Sequence, residues 1–169
     1  MTRFATYKEC TKYLIYVNRI FIWLQAGDAE NARHCLGRAI TVAPSTGHTK
    51  YLSLAQLMQG RESLELYKSA LEIMNKLIEE TESNMDKKTA DQEEKLVNSI
   101  SPQTLKQELS NTYCAIAELY MTDLCDENEA EQECESNIKK SIEVNESNPE
   151  AWQTKARFHL IKSEFEVKI

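Results

Sequence analysis

The chain is poor in glycine and proline, with 4 and 3 among 169 residues. Together with 41% hydrophobic content, that scarcity fits an all-helical protein. Cysteine is present but unpatterned. Five residues (Cys10, Cys35, Cys114, Cys125 and Cys134) make an odd number, and no C-x-x-C occurs. That excludes a disulfide framework and points to a reducing compartment, cytoplasm and nucleus. Positive charge is also short: 20 Lys and Arg against 27 Asp and Glu give a net charge of −7. Nucleic-acid binding normally shows a basic stripe, and anionic membranes attract basic segments, so neither is expected as a direct partner. The natural complement is a basic protein. Long hydrophobic runs are missing too. The longest, Tyr13 to Leu24, contains Asn18 and Arg19 and is too short to span a bilayer, and no signal-peptide arrangement surrounds it. The three histidines, His34, His48 and His159, are scattered. His34 and Cys35 are adjacent, so on a helix they diverge by about 100°, and no second pair with ligand spacing exists. No phosphate loop, nucleophile elbow or zinc-protease motif occurs. No catalytic residue, metal or cofactor is expected.

What the chain does have is a recurring spacing. In Gly27–Pro44, the residues Gly27, Asp28, Ala32, Leu36 and Ala39 form a turn followed by a helix with small residues on one face. Tyr113, Ile116, Ala117 and Tyr120 show the face of a first helix, and Asn148 to Ala156 opens another with Pro149, Ala151 and Trp152. These offsets fit a helix–turn–helix unit of about 34 residues, the tetratricopeptide (TPR) period. The fold class expected is all-α, a TPR-like helical-pair solenoid of about three pairs plus one terminal helix. Such arrays usually hold another polypeptide rather than catalyse a reaction.

Read in order, Phe4–Leu24 and Ala29–Val42 form the first pair, with Pro44 and Gly47 stopping the second helix. The second pair carries Tyr51, Leu54, Ala55 and Met58, then a shortened turn at Gly60, then Ser63, Leu64, Tyr67, Ala70, Leu71 and Met74. From Glu79 to Ser101 the sequence is polar and without apolar periodicity. Ser101 is placed to cap a helix opening at Pro102. That helix runs to about Leu124, and its partner from about Glu129 to Val144. Pro149 to Lys168 is expected to make a last helix with no partner after it, so the chain ends half-way through a repeat; either this helix is the cap or further sequence follows. The length suits one domain, organised as first and second repeats (1–80), a polar linker or frayed helix extension (81–101), and a third repeat with half of a fourth (102–169). Trp152 and Ala117 are expected to be buried between helices, with Ala156 and His159 facing inward beside Trp152. Tyr113 and Tyr120 belong to a buried stripe.

Charge is distributed unevenly. Between Lys106 and Lys139 there is no Lys or Arg, while Glu108, Glu118, Asp123, Asp126, Glu127, Glu129, Glu131, Glu133 and Glu135 fall in that stretch. Asn111, Cys114, Glu118 and Met121 lie off the Tyr113/Ile116/Ala117/Tyr120 stripe, on the face that lines the groove of a TPR array. With no basic residue nearby in sequence, this surface should attract a cationic segment. Near the N-terminus, Leu14, Val17, Phe21 and Leu24 oppose Tyr16, Ile20 and Trp23, so that helix is apolar all round and needs cover or a partner.

Two stretches carry a family resemblance. Residues 47–74, GHTKYLSLAQLMQGRESLELYKSALEIM, and 117–158, beginning AELYMTDLCDENEAEQEC, resemble the TPR-containing assembly chaperones of large-subunit ribosomal protein four. The long acidic turn, Leu119 to Glu127, followed by Glu131 and Cys134, is the more specific part. The resemblance implies capture of a newly made, very basic ribosomal protein through an acidic surface, its shielding, and its passage to the nucleus for large-subunit assembly, with import machinery as a further partner. The residues expected to meet the client are Gln56, Asn111, Glu118, Asp123, Asp126 and Glu127. A general TPR adaptor that reads the acidic tails of heat-shock chaperones is the alternative. It would need a Lys, Arg and Asn clamp, and Asn111, Cys114 and Glu118 offer the wrong charge.

Overall fold

Helix boundaries follow local chemistry closely. The computed structural model describes residues 28–85 and 101–167; the helix expected over Phe4–Leu24 lies outside them. The described helices are α1 (Ala29–Val42), α2 (Thr49–Ala55), α3 (Gly60–Met85), α4 (Pro102–Met121), α5 (Ala130–Val144) and α6 (Pro149–Val167), and no strand occurs among the described residues. Asp28 caps α1 by accepting from the Asn31 backbone N–H at 3.1 Å, and the Asn31 side chain donates to its other oxygen at 2.8 Å. Those bonds to the anion hold the Asp28 carboxyl below its usual pKa. Ser101 caps α4 in the same way, accepting from Thr104 N–H at 3.2 Å with Pro102 in the first turn.

The contacts divide the chain into two compact units between Ile73 and Met74, inside α3. The buried face of α3 (Ser63, Leu64, Tyr67, Ala70, Met74) runs out there, and Leu77 is already 36% exposed. In the first unit, Ala32, Cys35, Leu36 and Ala39 form the buried stripe of α1. Leu54 and Leu57 pack on Cys35 and Leu36. Gly47 (φ 71°) and Gly60 (φ 55°) take the left-handed conformation at the two turns, where a side chain would be strained. Lys50 is 3% exposed, and its ammonium donates to the Ala43 and Thr46 carbonyls just beyond the end of α1. Tyr51 donates from its hydroxyl to the Pro44 carbonyl at 2.7 Å. These side chains tie down carbonyls of the loop that follows α1, where the Ala43 carbonyl also accepts from the Thr46 N–H at 3.4 Å.

In the second unit, α4 and α5 run antiparallel. Gln107 meets Asn145 and Ser110 meets Ser141, so partner numbers fall along α5 as they rise along α4. Helix α6 restarts parallel to α4, because Asn148 meets Ser110 and Arg157 meets Glu118. A pair followed by a helix repeating the first one's direction is the step of a TPR-like array. Small residues permit the close approach: Ala117, Ser110, Cys114 and Ser141 are fully buried, and Ser110 and Ser141 bond through their hydroxyls at 3.1 Å.

Several expected positions are corrected. Trp152 is 46% exposed, and Ala156 and His159 are also exposed. The inward face of α6 is instead Ala151, Thr154 and Phe158. Asn148 draws the start of α6 onto α4 through bonds of 2.8 Å to Ser110 and to Asn111, and it is Ala151 rather than Trp152 that faces inward there. The ring folds back over the turn, donating from Nε1 to the Glu146 carbonyl at 2.8 Å, with the Lys155 ammonium 5.1 Å from its centroid. Cys114 is fully buried rather than on the groove face, and Tyr113 is half-buried. Helix α4 is packed from two sides, by α5 and α6, so its buried arc is wider than one stripe. It also ends at Met121 rather than Leu124: the Leu124 N–H bonds back to the Leu119 carbonyl at 2.9 Å, and Leu124 is buried under the turn.

Candidate acidic binding surface

The turn between α4 and α5 is ordered by its own backbone. Thr122 and Leu124 both donate to Leu119, Glu127 donates to Leu124, and Ala130 donates to Glu127. This chain of tight turns, anchored by buried Leu124, presents Asp123 and Asp126 to solvent, with Glu127 half-buried beside them. Glu129, Glu131 and Glu135 extend the exposed acidic surface along the start of α5.

The other expected site residues sit in distinct settings. Glu118, on α4 one turn before the acidic turn, forms an ion pair with Arg157 of α6; the side chains are 37% and 53% exposed. Asn111 lies on the same face but is engaged internally, its Oδ1 accepting from Gln107 at 2.9 Å and from Asn148 at 2.8 Å. Gln56 is in the first unit, exposed at the C-cap of α2.

The expectation that no basic residue neutralises this surface is corrected for Glu118 and Glu131. Both lie in the stretch without Lys or Arg, but α6 brings Arg157 to the first and places Lys162 Nζ 2.6 Å from the second. Sequence reading missed both cations because they lie 39 and 31 residues away. The contacts between α4 and α6 fall at separations of 37 to 39 residues (Asn111 with Asn148, Ser110 with Asn148, Glu118 with Arg157), longer than the repeat period of about 34, so the period alone does not pair Arg157 with Glu118.

Two buried thiols, Cys114 and Cys134, are held in the protonated form. Burial, with Glu135 nearby, pushes Cys134 up to about 12, and burial raises Cys114 despite its contact with Ser141. No group of three or more His, Cys, Asp or Glu residues able to hold a metal occurs among the described residues. A groove of about 400 Å³ between α5 and α6 is lined by Ile138, Ile142, Trp152 and Phe158, but its charges are mixed, with Glu135 and Glu143 beside Lys139 and Lys155.

The chain is 29% identical over 150 residues to a "Probable assembly chaperone of rpl4" from Schizosaccharomyces pombe. The chain is similar to assembly chaperones of Rpl4. A solved structure of another Rpl4 assembly chaperone, Acl4, superposes with a TM-score of 0.74 at 26% sequence identity over 87% of this chain. The resemblance read from the sequence is thus borne out by both comparisons, and the all-α, helical-pair fold class by the solved structure. No family model matches the chain. The matched region spans 39% of the S. pombe Rpl4 chaperone and 54% of the solved Acl4 chain.

Proposed function

We propose that this chain is a dedicated chaperone of the large-subunit ribosomal protein Rpl4. It binds the newly made, basic protein through its acidic surface, shields it, and accompanies it from cytoplasm to nucleus, with import machinery as a further partner. The observation that carries this reading is the agreement of sequence and structure comparisons on one kind of chaperone. The exposed acidic turn supports the mode of binding. Ribosomal proteins are rich in Lys and Arg because they bind RNA phosphates; until RNA is available, carboxylates are the complementary surface. Asp123 and Asp126 project from a fixed turn, so little ordering entropy is lost on binding. Exposed like charges within a Debye length of about 8 Å act together on an approaching cation, raising the association rate and favouring one charge pattern over another.

The test is co-expression with Rpl4 and, separately, with a second large-subunit protein of similar net charge. A complex that survives size-exclusion chromatography at physiological salt only with Rpl4 supports the reading. Equal retention of both proteins would reduce the surface to a general cation binder.

A further inference from the structure

The carboxylate of Glu118 already holds a guanidinium. Arg157 reaches it from the exposed side of α6, while that helix is held on α4 by other means: the Asn148 bonds and the buried Ala151, Thr154 and Phe158. The pair is therefore not needed to dock α6. Both side chains are about half exposed, so the ion pair is open to solvent and to competitors. An exposed pair of this kind is weak, and an arginine stem can swing aside without moving its helix. The same helix sets Lys162 on Glu131 of α5. Two carboxylates in the stretch without Lys or Arg are thus covered by cations from α6.

We infer that Arg157 is an intramolecular stand-in for the client. It occupies the Glu118 carboxylate in the free protein and is exchanged for an Arg or Lys side chain of the bound partner. The inference rests on the acidic-surface reading above and adds its regulation. In the free state the pair limits repulsion along the acidic face. It also sets a threshold: an isolated cation must displace Arg157 for no net gain, whereas a segment that also reaches Asp123 and Asp126 gains contacts that Arg157 does not offer.

The probe is a fluorescein-labelled synthetic peptide of alternating Arg, Lys and Gly, titrated at low salt against four proteins: wild type, Arg157→Gln, Glu118→Gln and the double variant. Lys140→Gln, an exposed residue of α5, controls for the change in net charge. Arg157→Gln is expected to tighten binding about two- to fivefold, the range set by an exposed ion pair. Lys140→Gln should give less than half that effect, and in the Glu118→Gln background Arg157→Gln should give no more than Lys140→Gln does. Arg157→Lys keeps the charge and should stay close to wild type. If Glu118→Gln weakens binding but Arg157→Gln does no more than Lys140→Gln, the stand-in is overturned and the acidic-surface reading survives. If Glu118→Gln binds like wild type, or wild type does not bind the peptide, both fail. Loss of helical circular dichroism in Arg157→Gln would make Arg157 a structural residue and likewise overturn the inference.

Discussion

Replacing Asn148 by Ala should be the most damaging single truncation of a polar side chain in the second unit. Its side chain is 1% exposed and makes three bonds. It accepts from the Glu150 N–H at 3.1 Å, capping α6, and donates at 2.8 Å to Ser110 Oγ and at 2.8 Å to Asn111 Oδ1. Loss of an N-cap costs about 1 kcal/mol. Each buried bond contributes about 1 kcal/mol net, and Asn111 and Ser110 keep their bonds to Gln107 and Ser141. The sum is about 3 kcal/mol, a large share of the roughly 5–15 kcal/mol that holds a typical domain together. Asn148→Ser keeps an N-cap acceptor but loses the two cross-helix donors, so it should cost about 2 kcal/mol. Asn148→Asp keeps the cap but sets a buried anion against the Asn111 carbonyl oxygen, and should be no better than Ala. Urea unfolding followed by circular dichroism reads all three. An Asn148→Ala protein within about 0.5 kcal/mol of wild type would refute the view that this polar cluster docks α6.

Three further outcomes follow from the geometry. Trp152→Ala should cost about 1–2 kcal/mol in the same urea assay, below the 3–5 kcal/mol of a fully buried aromatic; a larger loss would mean that the ring is covered in solution. Among the described cysteines, exposed Cys125 should react with iodoacetamide near pH 8 well before buried Cys35, Cys114 and Cys134, read by peptide mass spectrometry; early labelling of Cys134 would contradict its packing. Cys134 also predicts an alkaline slope. Burial pushes its folded pKa up to about 12, above that of an ordinary thiol, so the folded state keeps the proton as the unfolded chain loses it. Its contribution to stability is complete below pH 9 and is lost as pH rises toward 12, at up to about 1.4 kcal/mol per unit. Cys134→Ala should flatten that slope, and an unchanged slope would refute the assignment.

Local signals were legible and long-range ones were not. Asp28, Ser101 with Pro102, and the turns at Gly47 and Gly60 state their roles within a few residues, and α1 and the end of α5 fall where the periodicity puts them. Trp152 was misread because a repeat pattern assigns an aromatic to the interior, while its place depends on how closely Asn148 pulls α6 toward Ser110. Cys114 was misread because one stripe describes a helix with one neighbour, and α4 has two. The acidic residues were visible as a run, and Asp123 and Asp126 are indeed exposed. The cation on Glu118 was hidden because charge balance along a sequence says nothing of a helix 39 residues away.

The central claim is tested most directly by the affinity of this chain for purified Rpl4 at low and physiological salt, comparing wild type with Glu118→Lys, Asp123→Lys and Asp126→Lys, and with Glu93→Lys as a reversal outside the described residues. Affinity should fall with salt, Glu118→Lys should weaken binding more than Glu118→Ala, each turn reversal should weaken it too, and Glu93→Lys should leave it nearly unchanged. Salt-independent binding, or equal losses from the Glu118 and Glu93 reversals, would contradict the account and leave the acidic face a solubilising surface.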